Sequence, residues 1–140
     1  DPEGVVTKKK KIPKLNNLKI NKILNLFFGI SMQTPPMFSA KKIGGVKLYE
    51  LARKNIIIDR EKAQINISDI SLINFNETKI SFSVSCSKGT YIRVLGKEIA
   101  EKLGTVGYLD SLIRTRVGEY FIDDSVSLDQ FEQSWKSYAH

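Results

Sequence analysis

The chain has 140 residues, of which 41% are hydrophobic and 26% charged, a composition that argues against disorder and suits one domain with a core. One cysteine and one histidine exclude an internal disulfide and a Cys/His metal cluster, and the longest apolar stretch, residues 23–30, is too short to span a bilayer, so we expect a cytosolic protein. The net charge of +7 favours a polyanion as partner, whether RNA, DNA or an acidic membrane surface.

Residues 1–17 form a basic segment without hydrophobic periodicity, and this composition predicts an irregular structure. Much of the excess positive charge lies here, in the run Lys8–Lys11 with Lys14. We interpret this run as a solvated loop in preference to a specific contact. The main domain is predicted to occupy residues 18–140.

The first predicted helix covers residues 18–28, with Asn16 or Asn17 as its N-cap and Gly29 as its terminator. Prolines in residues 32–40 then predict an extended, partly unpaired strand. Residues 41–47 read as a basic flexible loop, and residues 48–54 as a short helix bearing Tyr49 and Arg53.

Strand predictions follow for Ile56–Ile58 and for residues 65–72, because both are rich in β-branched residues. A turn near residues 74–77 would join the second of these strands to a strand over residues 79–86. In that last strand, Phe82, Val84 and Cys86 are expected on one face and serines on the other.

Residues 86–93, Cys-Ser-Lys-Gly-Thr-Tyr-Ile-Arg, are the most informative part of the chain. The hydrophobic period changes here from that of a strand to that of a helix, which Gly104 would end. Arg93 therefore lies in the first turn of a helix, where the helix dipole disfavours a cation. A partner anion is the simplest reason for it, although an ordinary turn with a solvated arginine explains this segment equally well.

After this helix, residues 106–116 are expected to be extended, and Ser127 to Gln130 resembles a capping box that opens a C-terminal helix with Phe131 and Trp135 on one side. Hairpins and strands dominate the pattern. The sequence therefore predicts an α+β fold, a mixed or antiparallel sheet with helices packed on it.

Four segments resemble, in order, motifs of the TruB family of tRNA pseudouridine synthases, in its bacterial stand-alone branch. They are residues 33–42, 45–53, 86–95 and 112–118. Each segment is a weak signal, whereas four in this order are a strong one. The resemblance covers about residues 18–131 and implies part of a pseudouridine synthase catalytic fold.

The resemblance implies an isomerase that acts on a uridine of the tRNA T-loop. The uracil would be detached from C1′, turned and reattached through C5, with the target nucleotide flipped out of the RNA. It further implies that no cofactor or metal is needed, that the T-arm of tRNA is the partner, that no membrane is involved, and that the intact enzyme is not a homo-oligomer.

Carried over by position, the resemblance pairs Arg93 with the catalytic aspartate, places Tyr91 in the same pocket, and makes Leu112 an apolar wall against the flipped base. Lys88 would contact a backbone phosphate or the pocket. Without the resemblance, Leu112 reads as a core leucine and Tyr91 as a packing residue. The other candidates for RNA binding are basic: Lys41, Lys42, Lys47 and Arg53.

The sequence departs from the family at the nucleophile. The family's catalytic aspartate lies in a Gly-x-Leu-Asp-Pro type motif upstream of the matching region, and this sequence contains none. Asp1 is followed by Pro2-Glu3-Gly4, which resembles a later acidic stretch of the family, so Asp1 is not assigned as nucleophile. We expect the chain to be the C-terminal part of the catalytic domain and inactive alone.

Two smaller departures follow. Ile113 stands where the family often has an arginine, and residues 96–100 differ from the more acidic family pattern at the helix surface. About twenty residues follow Gly118, too few for the RNA-binding PUA domain that is common in the guide-dependent relatives. Two functions therefore stay open, an incomplete tRNA pseudouridine synthase and a non-catalytic RNA-binding module that holds phosphates with its basic residues.

Overall fold

The computed structural model describes residues 2–138, and the side chains of residues 2–135. Within this part of the chain there are two compact units, the first ending at Asp110 and the second beginning at Ser111. Every helix in the described range is too short or too polar to cross a membrane.

The first unit contains, in chain order, α1 (Asn17–Asn25), β1 (Gly29–Gln33), β2 (Lys42–Ile43), β3 (Val46–Lys47), α2 (Leu48–Arg53), β4 (Ala63–Phe75), β5 (Ile80–Cys86) and α3 (Ile92–Lys102). The second unit contains β6 (Arg116–Val117), β7 (Tyr120–Phe121), a single 3₁₀ turn (Ile122–Asp124) and α4 (Leu128–Tyr138).

A three-stranded antiparallel sheet lies at the centre of the first unit, in the order β1, β4, β5. The pairing register of β4 and β5 shifts between Ile67 and Asp69. This bulge places Ile70 on the same buried side as Ile67, although the two residues are three positions apart. The core between β4, α1 and α3 comprises Ile20, Leu24, Ile65, Ile67, Ile70, Leu95, Ile99 and Leu103.

The predicted first helix is confirmed, but it ends earlier than expected. The side chain of Asn16 accepts a hydrogen bond from the Lys19 amide at 2.8 Å, so Asn16 is the N-cap. The prediction that Gly29 terminates the helix is wrong, because the helix ends at Asn25 and Gly29 begins β1. Gly29 has φ +97°, which a residue with a side chain rarely adopts.

Two strand predictions are wrong. The strand near the prolines is β1, which stops at Gln33, and residues 34–41 are irregular because proline cannot donate to a ladder. Ile56–Ile58 forms no strand, since β propensity does not suffice without a neighbouring strand. Residues 106–115, which were expected to be extended, belong to no helix or strand.

The predicted loop over residues 41–47 is instead a small hairpin of β2 and β3. Its two turn residues, Gly44 and Gly45, have φ +59° and +81°, as the tight hairpin turns with left-handed residues require. The predicted helix after it is confirmed as α2.

The predicted β4–β5 hairpin is confirmed, with its turn one or two residues later than expected. Asn76 Oδ1 accepts from the amides of Thr78 and Lys79 at 2.9 and 2.8 Å, and this bonding closes the turn. Phe82 and Val84 pack against the core as expected. Cys86, which was expected on the same face, is exposed.

The basic N-terminal segment is irregular, and its lysine side chains are exposed. Its backbone nevertheless contacts the first unit, because the Lys10 carbonyl accepts from Thr105 Oγ1 at 3.5 Å. Leu15 packs against the core cluster. The interpretation as a solvated loop therefore holds for the lysine side chains but did not include the contacts of Lys10 and Leu15 with the first unit.

In the second unit, the predicted capping box is confirmed. Gln130 Oε1 accepts from the Ser127 amide at 2.9 Å, and Ser127 Oγ accepts from the Gln130 amide at 3.2 Å. Phe131 and Trp135 stack with ring centroids 6.2 Å apart. Together, the antiparallel sheet and its packed helices confirm the predicted α+β class.

Candidate functional site

The turn between β5 and α3 is fixed by hydrogen bonds to its own residues and to β4. The Ser87 amide donates to the Asn66 carbonyl, and Ser87 Oγ accepts from the Asn66 amide, both at 2.9 Å. Thr90 Oγ1 donates to the Ser87 carbonyl at 2.8 Å. Gly89 has φ +80°, a conformation that a chiral residue would adopt at a cost. The exposed side chain of Lys88 therefore projects from an ordered turn.

Tyr91 ends this turn and is the N-cap residue of α3. Its backbone is extended, with φ −92° and ψ 104°, and its own side chain does not cap the helix. The side-chain amide of Gln33, at the end of β1, binds the Tyr91 backbone at both ends. Gln33 Oε1 accepts from the Tyr91 amide at 2.8 Å, and Gln33 Nε2 donates to the Tyr91 carbonyl at 3.1 Å.

Arg93 lies in the first turn of α3, as predicted. That turn contains no acidic residue, so the dipole cost of the cation is not offset within the turn. The guanidinium donates to the carbonyl of Phe38, 55 positions earlier in the chain. Phe38 belongs to residues 34–41, which we call the proline segment. Arg93 therefore fixes this segment to the start of α3.

The proline segment also contacts the start of α2. The carbonyl of Ser39 accepts from the Tyr49 amide at 3.1 Å, and the carbonyl of Lys41 accepts from the Leu48 amide at 2.8 Å. Leu48 is fully buried and Pro35 is almost so. The proline segment thus connects the β5–α3 junction to the start of α2, with a buried proline in the segment and a buried leucine in α2.

Two of the predicted RNA-binding residues lie around the ring of Tyr49, as a group that we call the basic cluster: Lys47, Tyr49 and Arg53. Lys47 Nζ lies 5.4 Å from the ring centroid and donates to the Tyr49 hydroxyl at 3.3 Å. Arg53 Cζ lies 5.1 Å from the same centroid. These distances are those of cation–π contacts, which hold both charges near one aromatic ring.

The predicted residues thus fall into two groups in the first unit, plus one residue in the second. Tyr91, Arg93 and Lys88 share the β5–α3 junction, and the proline segment connects this junction to the basic cluster. Lys42 is exposed on β2, opposite Lys47 in the hairpin register. Leu112 lies in the second unit with 57% of its surface exposed, and its role as a pocket wall stays a prediction.

Sequence reasoning missed the connecting residues. Gln33, Phe38 and Tyr49 received no role, because their partners lie far away in the chain or are backbone atoms. Gln33 offered one signal, since a glutamine that is buried has to find a hydrogen-bond partner. Only 3% of its surface is exposed.

The chemistry of this arrangement suits a nucleotide. Cations on an ordered turn and around an aromatic ring can bind phosphates, and aromatic rings can stack on bases. Within residues 2–138, no group of three His, Cys, Asp or Glu side chains lies close enough together to hold a metal ion.

Comparison with known families places residues 1–92 in the family model of the N-terminal domain of TruB family pseudouridylate synthases. The matched range includes the basic N-terminal segment as well as β1, the proline segment, α2 and the turn that carries Tyr91. It stops one residue before Arg93.

Curated relatives match over almost the whole chain. A tRNA pseudouridine synthase B of Hydrogenovibrio crunogenus is 42% identical over 138 residues, which are 99% of this chain and 46% of the relative. The corresponding proteins of Psychrobacter cryohalolentis and Clostridium tetani are 42% and 41% identical and cover 94% and 95% of this chain. The chain spans less than half the length of these relatives.

A solved structure shows the same fold. A chain in the crystal structure of a Cbf5-Nop10-Gar1 complex superposes with a TM-score of 0.69 at 22% identity, over 92% of this chain and 35% of that chain.

Proposed function

The chain belongs to the TruB family of pseudouridylate synthases, and on this basis we propose that the protein containing it isomerises a T-loop uridine of tRNA to pseudouridine. Its curated relatives are named tRNA pseudouridine synthase B. The reaction is balanced without a co-reactant, because the N1–C1′ bond breaks, a C5–C1′ bond forms, and the proton lost from C5 is matched by a proton gained at N1.

The observation that carries this proposal is the β5–α3 junction. Tyr91 and Arg93 both lie at the start of α3. Hydrogen bonds to the Gln33 side chain and to the Phe38 carbonyl hold this helix start in place. An active site that acts on a flipped nucleotide needs catalytic groups in fixed positions. Misplacement of such a group by about 1 Å can lower the rate 100-fold. We assign Tyr91 to packing against the flipped base, and we keep for Leu112 the role of an apolar wall that the family resemblance implies.

We assign Arg93 to ordering the catalytic aspartate of the complete protein. A guanidinium presents five N–H donors in a planar fork whose geometry matches a carboxylate, and one nitrogen of Arg93 donates to the Phe38 carbonyl. This geometry would explain why a cation occupies the first turn of α3.

The basic residues form the RNA-binding part of the proposal. Lys88 on the junction turn and Lys47 and Arg53 around Tyr49 would contact tRNA phosphates. Lys41 and Lys42 continue this surface at the start of the β2–β3 hairpin. Such contacts give affinity and position the T-arm, and they make binding weaker at high salt.

For the domain organisation, we propose that residues 18–140 are the C-terminal part of the catalytic domain and that residues 1–17 are an irregular basic extension of it. The catalytic aspartate would then lie in a part of the protein outside this sequence. On this proposal, the intact enzyme works as a monomer on the T-arm and the 140-residue chain has no activity by itself.

The test of the proposed function is the product position on tRNA. The complete gene product is incubated with an unmodified tRNA transcript, and pseudouridine is mapped by chemical labelling and primer extension. We expect one modified position in the T-loop, which a transcript with cytidine at that position lacks. Tight tRNA binding without pseudouridine at any position would instead identify a non-catalytic RNA-binding module.

A further inference from the structure

Gln33, the last residue of β1, is polar although its side chain is buried. Gln33 has 3% of its surface exposed, and its backbone pairs with Ala63 of β4. A buried amide is stable only when its donor and its acceptor are both bound, since an unpaired polar group costs more than an apolar one of the same shape. Both ends of the Gln33 amide bind one residue, Tyr91.

The two bonds reproduce the pattern of a neighbouring strand. In an antiparallel pair, one residue accepts from the amide and donates to the carbonyl of the residue opposite. The Gln33 side chain does the same for Tyr91 at 2.8 and 3.1 Å. The Tyr91 carbonyl also accepts the first bond of α3, from Leu95 at 3.1 Å. The backbone of Tyr91 is therefore fixed by β1 on one side and by α3 on the other.

This position matters because side-chain direction follows from the backbone. The extended backbone of Tyr91 sets where its ring points, and Arg93 follows two residues later in the first turn. The other contact of this junction runs from Arg93 to Phe38, five residues after Gln33. The segment between Gln33 and Phe38 is thus bound to the junction at both of its ends.

We propose that Gln33 is a positioning residue of the reaction, which aims Tyr91 and Arg93 through its paired hydrogen bonds to the Tyr91 backbone. This inference rests on the proposed function. It assigns Gln33 no contact with RNA, so its loss should slow turnover while tRNA binding stays intact.

The first test replaces Gln33 with methionine, which keeps its length and removes both bonds. In the complete gene product, we expect Gln33→Met to lower kcat about 100-fold, with the affinity for tRNA within about threefold of wild type, as for a loss confined to the transition state. Gln64→Met is the matched control, because Gln64 is an exposed glutamine of β4 opposite Met32 in the same sheet. This control should keep the wild-type kcat.

The second test uses Gln33→Glu, whose protonation state decides whether the bonding pattern exists. An ionised carboxylate accepts from the Tyr91 amide but faces the Tyr91 carbonyl with a second acceptor, whereas the protonated acid donates to it. We expect the ratio of variant to wild-type single-turnover rates to rise as the pH falls, by up to about tenfold per pH unit above the carboxyl pKa. The ratio for Gln64→Glu should stay flat.

The outcomes separate the inference from the function. A wild-type protein that forms no pseudouridine removes the proposed function and this inference with it. If the wild type is active, a Gln33→Met variant with normal kcat, or one that loses kcat, tRNA affinity and thermal stability in parallel, contradicts the positioning role. If Gln33→Met does not fold, the pH ratio of Gln33→Glu decides, and a flat ratio contradicts the role.

Discussion

Arg93 shows how one side chain can serve both the fold and the proposed reaction. Its guanidinium binds the Phe38 carbonyl and so holds the proline segment at the start of α3. Its place in a first turn without acidic residues is unfavourable for the helix alone. The family resemblance assigns a catalytic carboxylate to this arginine, and such a carboxylate would interact favourably with its positive charge.

We therefore predict that Arg93→Ala in the complete protein lowers kcat by about 100-fold or more with little change in tRNA affinity. Arg93→Lys should restore little, because an ammonium lacks the planar fork that binds a carbonyl and a carboxylate together. Steady-state kinetics and filter binding on the same tRNA measure the two effects.

Lys88→Ala is the matched variant, since Lys88 lies on the same junction but is exposed. It should raise KM and leave kcat nearly unchanged, as expected for a contact made equally in the ground and transition states. Equal losses of kcat and affinity in Arg93→Ala would contradict the role assigned to Arg93.

Glu98 of α3 is a residue whose charge opposes folding. Burial raises the pKa of the Glu98 carboxyl, and the negative charge of Glu101 raises that pKa further. The folded state therefore binds this proton more tightly than the unfolded state. The stability linked to Glu98 is present at low pH and is lost as the pH rises through the folded pKa.

Glu98→Gln should consequently stabilise the protein at neutral pH, by no more than about 0.5 kcal/mol because solvent screens the charge of a partly exposed side chain. The gain should disappear in acid, where wild-type Glu98 is protonated. Urea denaturation at several pH values measures it, with Glu77→Gln in the exposed β4–β5 turn as control. A stabilisation that grows as the pH falls would refute this interpretation.

At the scale of elements, one glycine lies inside α3 and another lies just after its end. Gly96 lies in the middle of the helix, and a Cβ there would meet nothing within 4 Å. Gly104 follows the helix with φ +93° in equally open space. The first glycine therefore costs the helix conformational entropy, whereas the second provides the left-handed residue that ends it.

We predict opposite effects for the same substitution. Gly96→Ala should stabilise the protein by about 0.5–1 kcal/mol, and Gly104→Ala should destabilise it by about 1 kcal/mol because it forces a side chain into the left-handed region. Thermal or urea unfolding of both variants measures the difference, and shifts of the same sign would contradict this account of the helix end.

The elements also show what a sequence can predict. Local signals were reliable: the Asn16 cap, the Ser127–Gln130 capping box and the change of period at residues 86–93 all depend on residues a few positions apart. The strand prediction for Ile56–Ile58 was wrong because a strand needs a neighbouring strand to pair with. The Ile56 amide instead donates to the Leu51 carbonyl in α2. The contacts of Gln33 and Arg93 span 58 and 55 positions, and no local pattern encodes such contacts.

At the scale of the whole molecule, two properties bear on the proposed function: the net charge of the chain and the fraction of its relatives' length that it covers. A net charge of +7 suits binding to tRNA, and the site in the first unit offers cations, an aromatic ring and a fixed arginine. The chain spans less than half of its curated relatives. On the proposed function, this chain would bind the nucleotide and order the nucleophile, and the nucleophile itself would lie in the rest of the protein.

The most direct measurement compares pseudouridine formation by the 140-residue chain and by the complete gene product on the same unmodified T-arm RNA. We predict product only with the complete protein, because the sequence contains no Leu-Asp-Pro motif. Product formed by the 140-residue chain alone would contradict the account, since one of its seven aspartates would then have to be the nucleophile.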